Sequence, residues 1–543
     1  MTAAKAHEYV DISTIGINQV SATPAPLPSP SGKATLSYWM ATTSSDQLPT
    51  SLDKVPAQSD VLIIGSGITG VSCAYHLVNS LSNASSTQKQ KLGSITIVEA
   101  RSFCSGATGR NGGHLTAASA LAYTDLAANP THLLNARLSA LSNQEITFET
   151  GKVVESILNF ETNTANAIRS ILKTENAEEE VGFTDDRNWH MCFEQAEVDA
   201  FEDSLRQAGT HQRLRNYVAQ IRRVPMEEVE ERMNRPSGIK AVYEIPGATL
   251  HPRKLVSLIY RCAQKSAAAK GISLNLVTDT PVHKVSSARD GSILTTSKGD
   301  IQASYVVHAT NGYASHLLPH LSSPSTGIIP TRAQVVAVAP SSSKVLWGMG
   351  LSAGGGYEYG HQRPSTESNL PLYIFGGGRE YATGREWGVA DDVSLNSEVS
   401  AFLHPYLART FPNSYGEEVT MEWTGIMGYT KSKDPLVGPV PDGRGGKEYI
   451  AAGYSGHGMT RAFGCAQVVA DMIMADMKGE KWSNRSGGLP ECYLTQPAKA
   501  MLLEKPETEI LSASAIPEIS SKAEAQEDAK LSQDTSASCC MVL

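Results

Sequence analysis

At 543 residues the chain is too long for one ordinary domain and is expected to hold roughly two to four. Its 41% hydrophobic content supplies a large core and excludes wholesale disorder. A formal net charge of −9, with no run of Lys and Arg, argues against a nucleic-acid partner.

Eight cysteines are scattered without Cys-x-x-Cys or zinc-type Cys/His spacing, so ordinary thiols in a reducing compartment are expected and no metal. Met1 to Val20 carry no apolar signal-peptide core. No stretch approaches the ~18 consecutive apolar residues of a membrane span. A cytoplasmic, unsecreted protein is the expectation.

The segment from Ser21 to Asp60 is rich in Ser, Thr and Pro, with Pro24, Pro26, Pro28 and Pro30 close together, and reads as an extended N-terminal arm over residues 1–59. Ser37-Tyr38-Trp39-Met40 is its apolar patch, placed to clamp onto the body. Val61-Leu62-Ile63-Ile64 is the first strand. A glycine turn follows, then a helix with Val71, Ala74, Tyr75 and Leu77 on one face. Asn79 to Gly93 is a polar insertion, and Ser94 to Ala100 restarts the sheet, completing a βαβ unit.

A helix-rich stretch runs from Asn129 to Lys173, and the region from Glu180 to Pro246 has no single pattern. Leu250 to Lys270 reads as a helix opened by Pro252, followed by a strand over Ile272 to Val277. Tyr305 to Ala309 is a further apolar run. Val335 to Ala339, Tyr373 to Phe375 and Val419 to Thr424 suggest a second, antiparallel sheet. Lys505 to Ser538, rich in Ser, Ala, Glu and Lys without an aromatic residue, reads as a disordered tail.

Gly65-Ser66-Gly67-Ile68-Thr69-Gly70 stands where strand becomes helix. Gly65 permits a tight turn, Gly67 lets backbone approach a pyrophosphate, and Gly70 allows close helix–strand packing. The helix N-terminus would face the phosphates. Glu99, ending the second strand, is placed to accept hydrogen bonds from a ribose diol; the polar insertion accounts for its long separation from the turn. Both features serve FAD and a nicotinamide equally. The loop from Ala100 and Arg101 through Thr108, Arg110, Asn111, Gly112, Gly113 and His114 separates them. Its four glycines let backbone lie against a flat ligand, with the Arg110 side chain beside diphosphate or ring.

These blocks, with Ala309-Thr310-Asn311-Gly312-Tyr313, Ile329 to Gln334 and Gly453-Tyr454-Ser455-Gly456-His457-Gly458-Met459, resemble the D-amino-acid oxidase (DAO) superfamily of flavoproteins. The likeness runs from Asp60 to Ile473 and is closest to the branch of gamma-glutamylputrescine oxidase and the glycine and sarcosine oxidases. It implies an α/β fold (α+β overall): a Rossmann-like FAD-binding domain with an interleaved antiparallel-sheet substrate domain. The FAD-binding parts would be about 60–125, 250–330 and 420–480, the substrate parts about 126–249 and 331–419, and the tail 497–543. The resemblance implies Gly65 to Gly70 at the pyrophosphate, Glu99 at the ribose and Arg101 near adenine. It further implies Thr108 to His114 along the flavin, Val282 at adenine, and Gly425 with Gly453 to Met459 at the flavin pyrimidine. Where relatives attach FAD through a cysteine, this chain has Met427 and Gly428, so non-covalent FAD is expected. Where relatives carry a lysine after the Gly-His-Gly turn, it has Met459-Thr460-Arg461.

The implied activity is oxidation of a carbon–nitrogen bond of an amine or amino acid, by hydride transfer to flavin N5, with oxygen or another acceptor taking the electrons. His114 and His457 are candidates for tuning flavin or substrate. Tyr357 and Tyr359, in the loop Gly354 to Gly360, are candidates for substrate contact, and Arg332 or Arg379 for a substrate carboxylate. A membrane-tethered flavin-binding scaffold is the alternative, distinguished by a flavin spectrum inert to amines. Cys540-Met541-Val542-Leu543 fits a prenylation signature, with Cys539 as a second lipid site, so membrane association through the C-terminus is a further expectation.

Overall fold

The computed structural model describes residues 16–81, 92–364, 371–440, 447–484 and 488–498. Most of the polar insertion, the tail and the two candidate lipid sites Cys539 and Cys540 lie outside the described residues.

Two eight-stranded sheets organise these residues. In the first, the order is Leu436–Pro439, Glu448–Ala452, Gly299–His308, Gln58–Ile64, Ser94–Val98 and Ser273–Val277. All neighbours from Glu448–Ala452 to Ser273–Val277 are parallel, and the edge strand Leu436–Pro439 is antiparallel. Val61, Leu62 and Ile63 are completely buried, as a near-continuous apolar strand covered on both faces demands. The hairpin of Val282–Ala288 and Gly291–Thr296 extends the sheet from Gly299–His308. Helix Ile68–Asn79 packs between Pro252–Lys270 and Gly458–Lys478. The first of its neighbours begins at Pro252, whose missing N–H costs nothing at that position, and ends on Gly271 in the left-handed region.

The second sheet runs Tyr415–Tyr429, Ile329–Pro340, Tyr373–Gly376, Glu358–Gln362, Gly350–Ala353, Asn188–Cys192, Ala241–Ile245 and Arg222–Val224. Every neighbouring pair is antiparallel except Gly350–Ala353 with Asn188–Cys192. Thus the patternless region from Glu180 to Pro246 supplies three strands to this sheet, and helix Gln195–Thr210 lies between them in sequence. The helix-rich stretch resolves chiefly into Asn143–Thr174, a single 32-residue helix started by a capping box between Ser142 and Glu145. It packs on Gly458–Lys478 and so joins the two halves. Among the described residues no helix is long and apolar enough to cross a membrane.

The arm keeps an extended course through its prolines but is firmly seated. Ile17 and Trp39 are fully buried, Tyr38 nearly so, and Tyr38–Ala41 forms a short helix capped by Ser37.

Candidate functional site

A continuous cavity of about 1800 Å³ begins at the carboxyl ends of the parallel strands, where Gly65, Glu99, Ala309 and Thr310 follow directly on Ile64, Val98 and His308. Strand order reverses at Gln58–Ile64, which has later strands on both sides, and such a switch point opens the crevice that α/β sheets use for ligands. The volume exceeds the ~300–1,000 Å³ of a typical small-ligand pocket, leaving room for a dinucleotide and a substrate together.

At the glycine turn, Gly65 has φ +109°, a conformation side chains rarely adopt. A Cβ on Gly70 would sit 1.9 Å from the Gly65 carbonyl oxygen, so helix and turn touch through bare backbone. Gly67 and Thr108 face each other closely, and the Ile68 N–H donates to Thr108 Oγ1 (3.2 Å). Thr69 Oγ1 and the Tyr454 hydroxyl are 2.9 Å apart. Glu99 accepts from the Ser66 N–H (2.9 Å), the Ser66 hydroxyl (2.8 Å) and the Arg101 N–H (3.0 Å), which fix its carboxylate at the cavity wall. Gly65, Gly67, Ile68, Thr69, Glu99, Ala100, Arg101 and Val282 all line the cavity. Ser66 is fully buried behind Glu99, and Gly70 acts through packing.

The second glycine-rich segment lies on the same wall, with Thr108, Arg110, Asn111, Gly112, Gly113 and His114 in the lining. Gly112 is pressed against Tyr359: a Cβ there would be 2.5 Å from the phenol ring. The Arg110 guanidinium has a different employment from the one its loop suggests. It donates to Ser105 O (2.8 Å), Thr35 O (2.7 Å) and Thr424 O (3.0 Å), binding arm, loop and second sheet together. Burial pushes it down to about 10, still protonated at neutral pH. Arg101 likewise pairs with buried Asp392 at 2.6 Å. Both arginines hold the loops that form the wall.

Opposite, Gly425 meets Arg110, and Gly453, Gly456, Gly458, His457 and Met459 surround the start of helix Gly458–Lys478, all but Gly453 being cavity-lining. Asn311 Oδ1 accepts from the Gly453 N–H (3.0 Å), and Gly428 O from the Ser455 N–H (2.9 Å). Three separated sequence blocks are thereby locked into one surface. Glu161, fully buried, accepts from Ala118 N–H (2.9 Å), Thr460 Oγ1 (2.9 Å), Arg461 Nε (2.8 Å) and His457 Nδ1 (3.2 Å). Burial pushes its carboxyl up, but Arg461 and His457 outweigh that and hold it below the usual carboxylate range. Glu161 was not singled out by sequence reasoning. Its signal was available: it falls among Ile157, Leu158, Thr164, Ala165 and Ile168 on the buried face of an amphipathic helix.

The far end of the cavity is walled by the second sheet. Tyr357 and Tyr359 both line it. Burial raises the Tyr359 phenol above its ordinary range. His114, edge-on to Tyr359 with ring centroids 6.0 Å apart, is half-buried, but both its ring nitrogens are buried and without a hydrogen-bond partner, and desolvation pushes it down to about 4. Arg332 is corrected: it does not line the cavity. Its guanidinium is enclosed by Glu386, Asp391 and Ser394 in a nearly buried ion pair. Of these two candidates, Arg379 lines the cavity. It is 5% exposed, lies over the rings of Trp387 (4.3 Å), Tyr429 (4.8 Å) and Tyr357 (5.4 Å), and has a buried Nη2 without a hydrogen-bond partner. Further along the wall, burial and the neighbouring Glu380 push the Glu358 carboxyl well above the usual range.

A crevice at the strand reversal that continues over the face of a second sheet suits a dinucleotide at one end and a small substrate at the other. The chain belongs to the DAO family of FAD dependent oxidoreductases, whose model matches residues 60–472. It is similar to a probable oxidoreductase, OrdL, of Rhizobium meliloti (strain 1021), 24% identical over 77% of this chain and 83% of the relative. It is also similar to gamma-glutamylputrescine oxidoreductase of Escherichia coli (strain K12), 26% identical over 34% of this chain and 40% of that one. The fold matches the crystal structure of glycine oxidase from Geobacillus kaustophilus, with TM-score 0.54 and 17% identity, covering 79% of this chain and 96% of that chain. The protein is an FAD-dependent oxidoreductase.

Proposed function

We propose that the enzyme oxidises a carbon–nitrogen bond of an amino acid or carboxylated amine. The observation that carries this is Arg379. A buried arginine of the cavity lining, lying over three aromatic rings with Nη2 left unpartnered, supplies the cationic donor that a carboxylate requires. The gamma-glutamylputrescine oxidoreductase among the relatives and the glycine oxidase among the structural neighbours are consistent with such a donor.

The residues present fit FAD on two observations: the glycine turn, where Gly65 at φ +109° and Gly67 leave bare backbone in the cavity lining, and the buried, unpartnered nitrogens of His114. Gly65 to Gly70 would hold the pyrophosphate, Glu99 the ribose, Val282 and Arg101 the adenine end, and Thr108 to His114 with Gly425 and Gly453 to Met459 the flavin. Bound FAD supplies the acceptor for a hydride and its electron pair. The chain's part is to bind the carboxylate at Arg379, to orient the amine carbon between Tyr359 and the cofactor wall, and to exclude water. His114, neutral at physiological pH, offers one N–H and one acceptor without adding charge. FAD is held non-covalently, since Met427 and Gly428 offer no thiol; acid precipitation should release all flavin into the supernatant.

Anaerobic mixing with amines, amino acids and gamma-glutamyl amines tests the reading. The flavin band should bleach with at least one carboxylated amine, and peroxide formation in air then identifies oxygen as the acceptor. A band inert across the whole panel would falsify it.

A further inference from the structure

The arm lies ahead of the family match, which starts at residue 60, yet it touches the cofactor wall at both ends. Leu27 and Pro28 line the cavity and precede Ser29 and Ser31, which reach the carboxylate partner of Arg101 and the N–H of Ser102. From there Ser29 Oγ donates to Asp392 (2.8 Å), and Ser31 accepts from the Ser102 N–H (2.9 Å) and donates to Asp279. Thr35 receives the Thr424 N–H (2.9 Å) on its hydroxyl and the Arg110 guanidinium on its carbonyl. The Ser37 hydroxyl donates to Gly109 O (2.6 Å), and the Trp39 indole N–H to Asn111 O (2.6 Å). Trp39 is fully buried, edge-on to His251 at 4.9 Å and beneath Arg363 at 5.2 Å.

We infer that the segment from Ala22 to Thr42 is a cofactor strap, closing one end of the FAD site with Leu27 and Pro28 and positioning the Gly109–Asn111 backbone through Ser37 and Trp39. This inference rests on the cofactor assignment proposed above. Carbonyls of Gly109 and Asn111 that met no donor would be buried and unsatisfied, so the loop they belong to holds its course only while the strap is seated. Prolines at 24, 26, 28 and 30 restrict the unfolded arm and lower the entropy lost on seating it. FAD therefore leaves only when the strap lifts, and lifting it exposes Trp39 and breaks a row of hydrogen bonds at once.

The test measures FAD release from purified holoenzyme, as the rise in flavin fluorescence on dilution, alongside the melting temperature of the apoprotein. Ser37→Ala, Trp39→Phe and Leu27→Gly should each speed release by about ten-fold. Trp39→Phe, which keeps a ring but removes the N–H, should fall between wild type and Trp39→Ala. Leu52→Ala, in the arm beyond the strap, should release FAD at the wild-type rate. Apoprotein melting should move by only a few degrees. Normal FAD content with release within twofold of wild type in all strap variants overturns the strap alone. An equal fall of apo and holo melting temperatures with unchanged release does the same and leaves the segment a stabilising role only. Unmodified protein that binds no added FAD overturns the cofactor assignment and the strap with it.

Discussion

The two ends of the cavity are built on opposite plans. Around the glycine turn the chain's own groups meet one another: Glu99 takes three donors, Thr108 receives the helix N–H of Ile68, and Thr69 meets Tyr454, while Arg101 Nε and Thr310 Oγ1 nearby stay unpaired. Over the second sheet, lining residues carry buried polar atoms without partners, among them both nitrogens of His114 and Nη2 of Arg379. A buried polar group left unpaired costs on the order of 1–3 kcal/mol, which a fold tolerates where something else completes the bond. The turn around Glu99 is thus closed by the chain's own contacts, whereas His114 and Arg379 keep polar atoms that the chain leaves unpaired.

This contrast is open to attack at both ends. The largest effect should follow Gly70→Ala, whose new methyl is driven into the Gly65 carbonyl: flavin content, read from the visible-to-ultraviolet absorbance ratio, should drop below about a tenth of wild type. Next, Arg379→Gln should keep its flavin but lose about 100-fold in kcat/KM for a carboxylated amine, as expected for one charge-assisted contact. Undiminished kcat/KM would remove Arg379 from the site. Arg332→Gln should do the reverse, destabilising the fold by about 3–5 kcal/mol in denaturant unfolding through the unpaired Glu386, with KM unchanged in the folded fraction.

Acid should tell on the buried histidines of both halves. Burial holds His114 at about 4 and His76 at about 3, and lowers His251 and His361 well below their ordinary 6.5. The unfolded chain takes up these protons near pH 6.5 while the folded chain refuses them. Stability is therefore complete above pH 6.5 and falls as pH drops toward 4. Between pH 6.5 and 5 each such histidine should cost roughly 2 kcal/mol of unfolding free energy. Equal denaturant midpoints at pH 7 and pH 5 would contradict this. The smallest effect belongs to Tyr359→Phe, which retains the ring packed on Gly112 and should change kcat/KM by only about two- to ten-fold.

The same contrast explains what the amino-acid sequence revealed. Backbone approach and tight turns demand glycine at set intervals, so Gly65 to Gly70 and the Gly112-Gly113 pair announce themselves, and Pro252 marks its helix start. Substrate-end chemistry depends on which distant segments enclose a side chain. Arg332 and Arg379 look alike until Glu386, more than fifty residues from Arg332, is seen to claim one of them. The arm's prolines signalled its extended course, but the burial of Ile17 depends on Ile329, Trp387 and Tyr429, which no local pattern connects to it. Strands Asn188–Cys192 and Ala241–Ile245 escaped placement because polar residues such as Asn188, His190 and Glu244 sit in strands that are buried almost throughout, so burial does not follow polarity.

The parallel sheet also has a temporal meaning. Gln58–Ile64 must wait for Gly299–His308, and that strand for Glu448–Ala452, before the sheet is complete. On a ribosome, the amino-terminal nucleotide half therefore remains open along one edge until nearly the whole enzyme has been synthesised. Pairings of such long sequence separation form slowly and leave unpaired edges exposed meanwhile. Flavin capture is consequently a late event in biogenesis, and a nascent chain stalled before residue 448 is expected to be a client for chaperones.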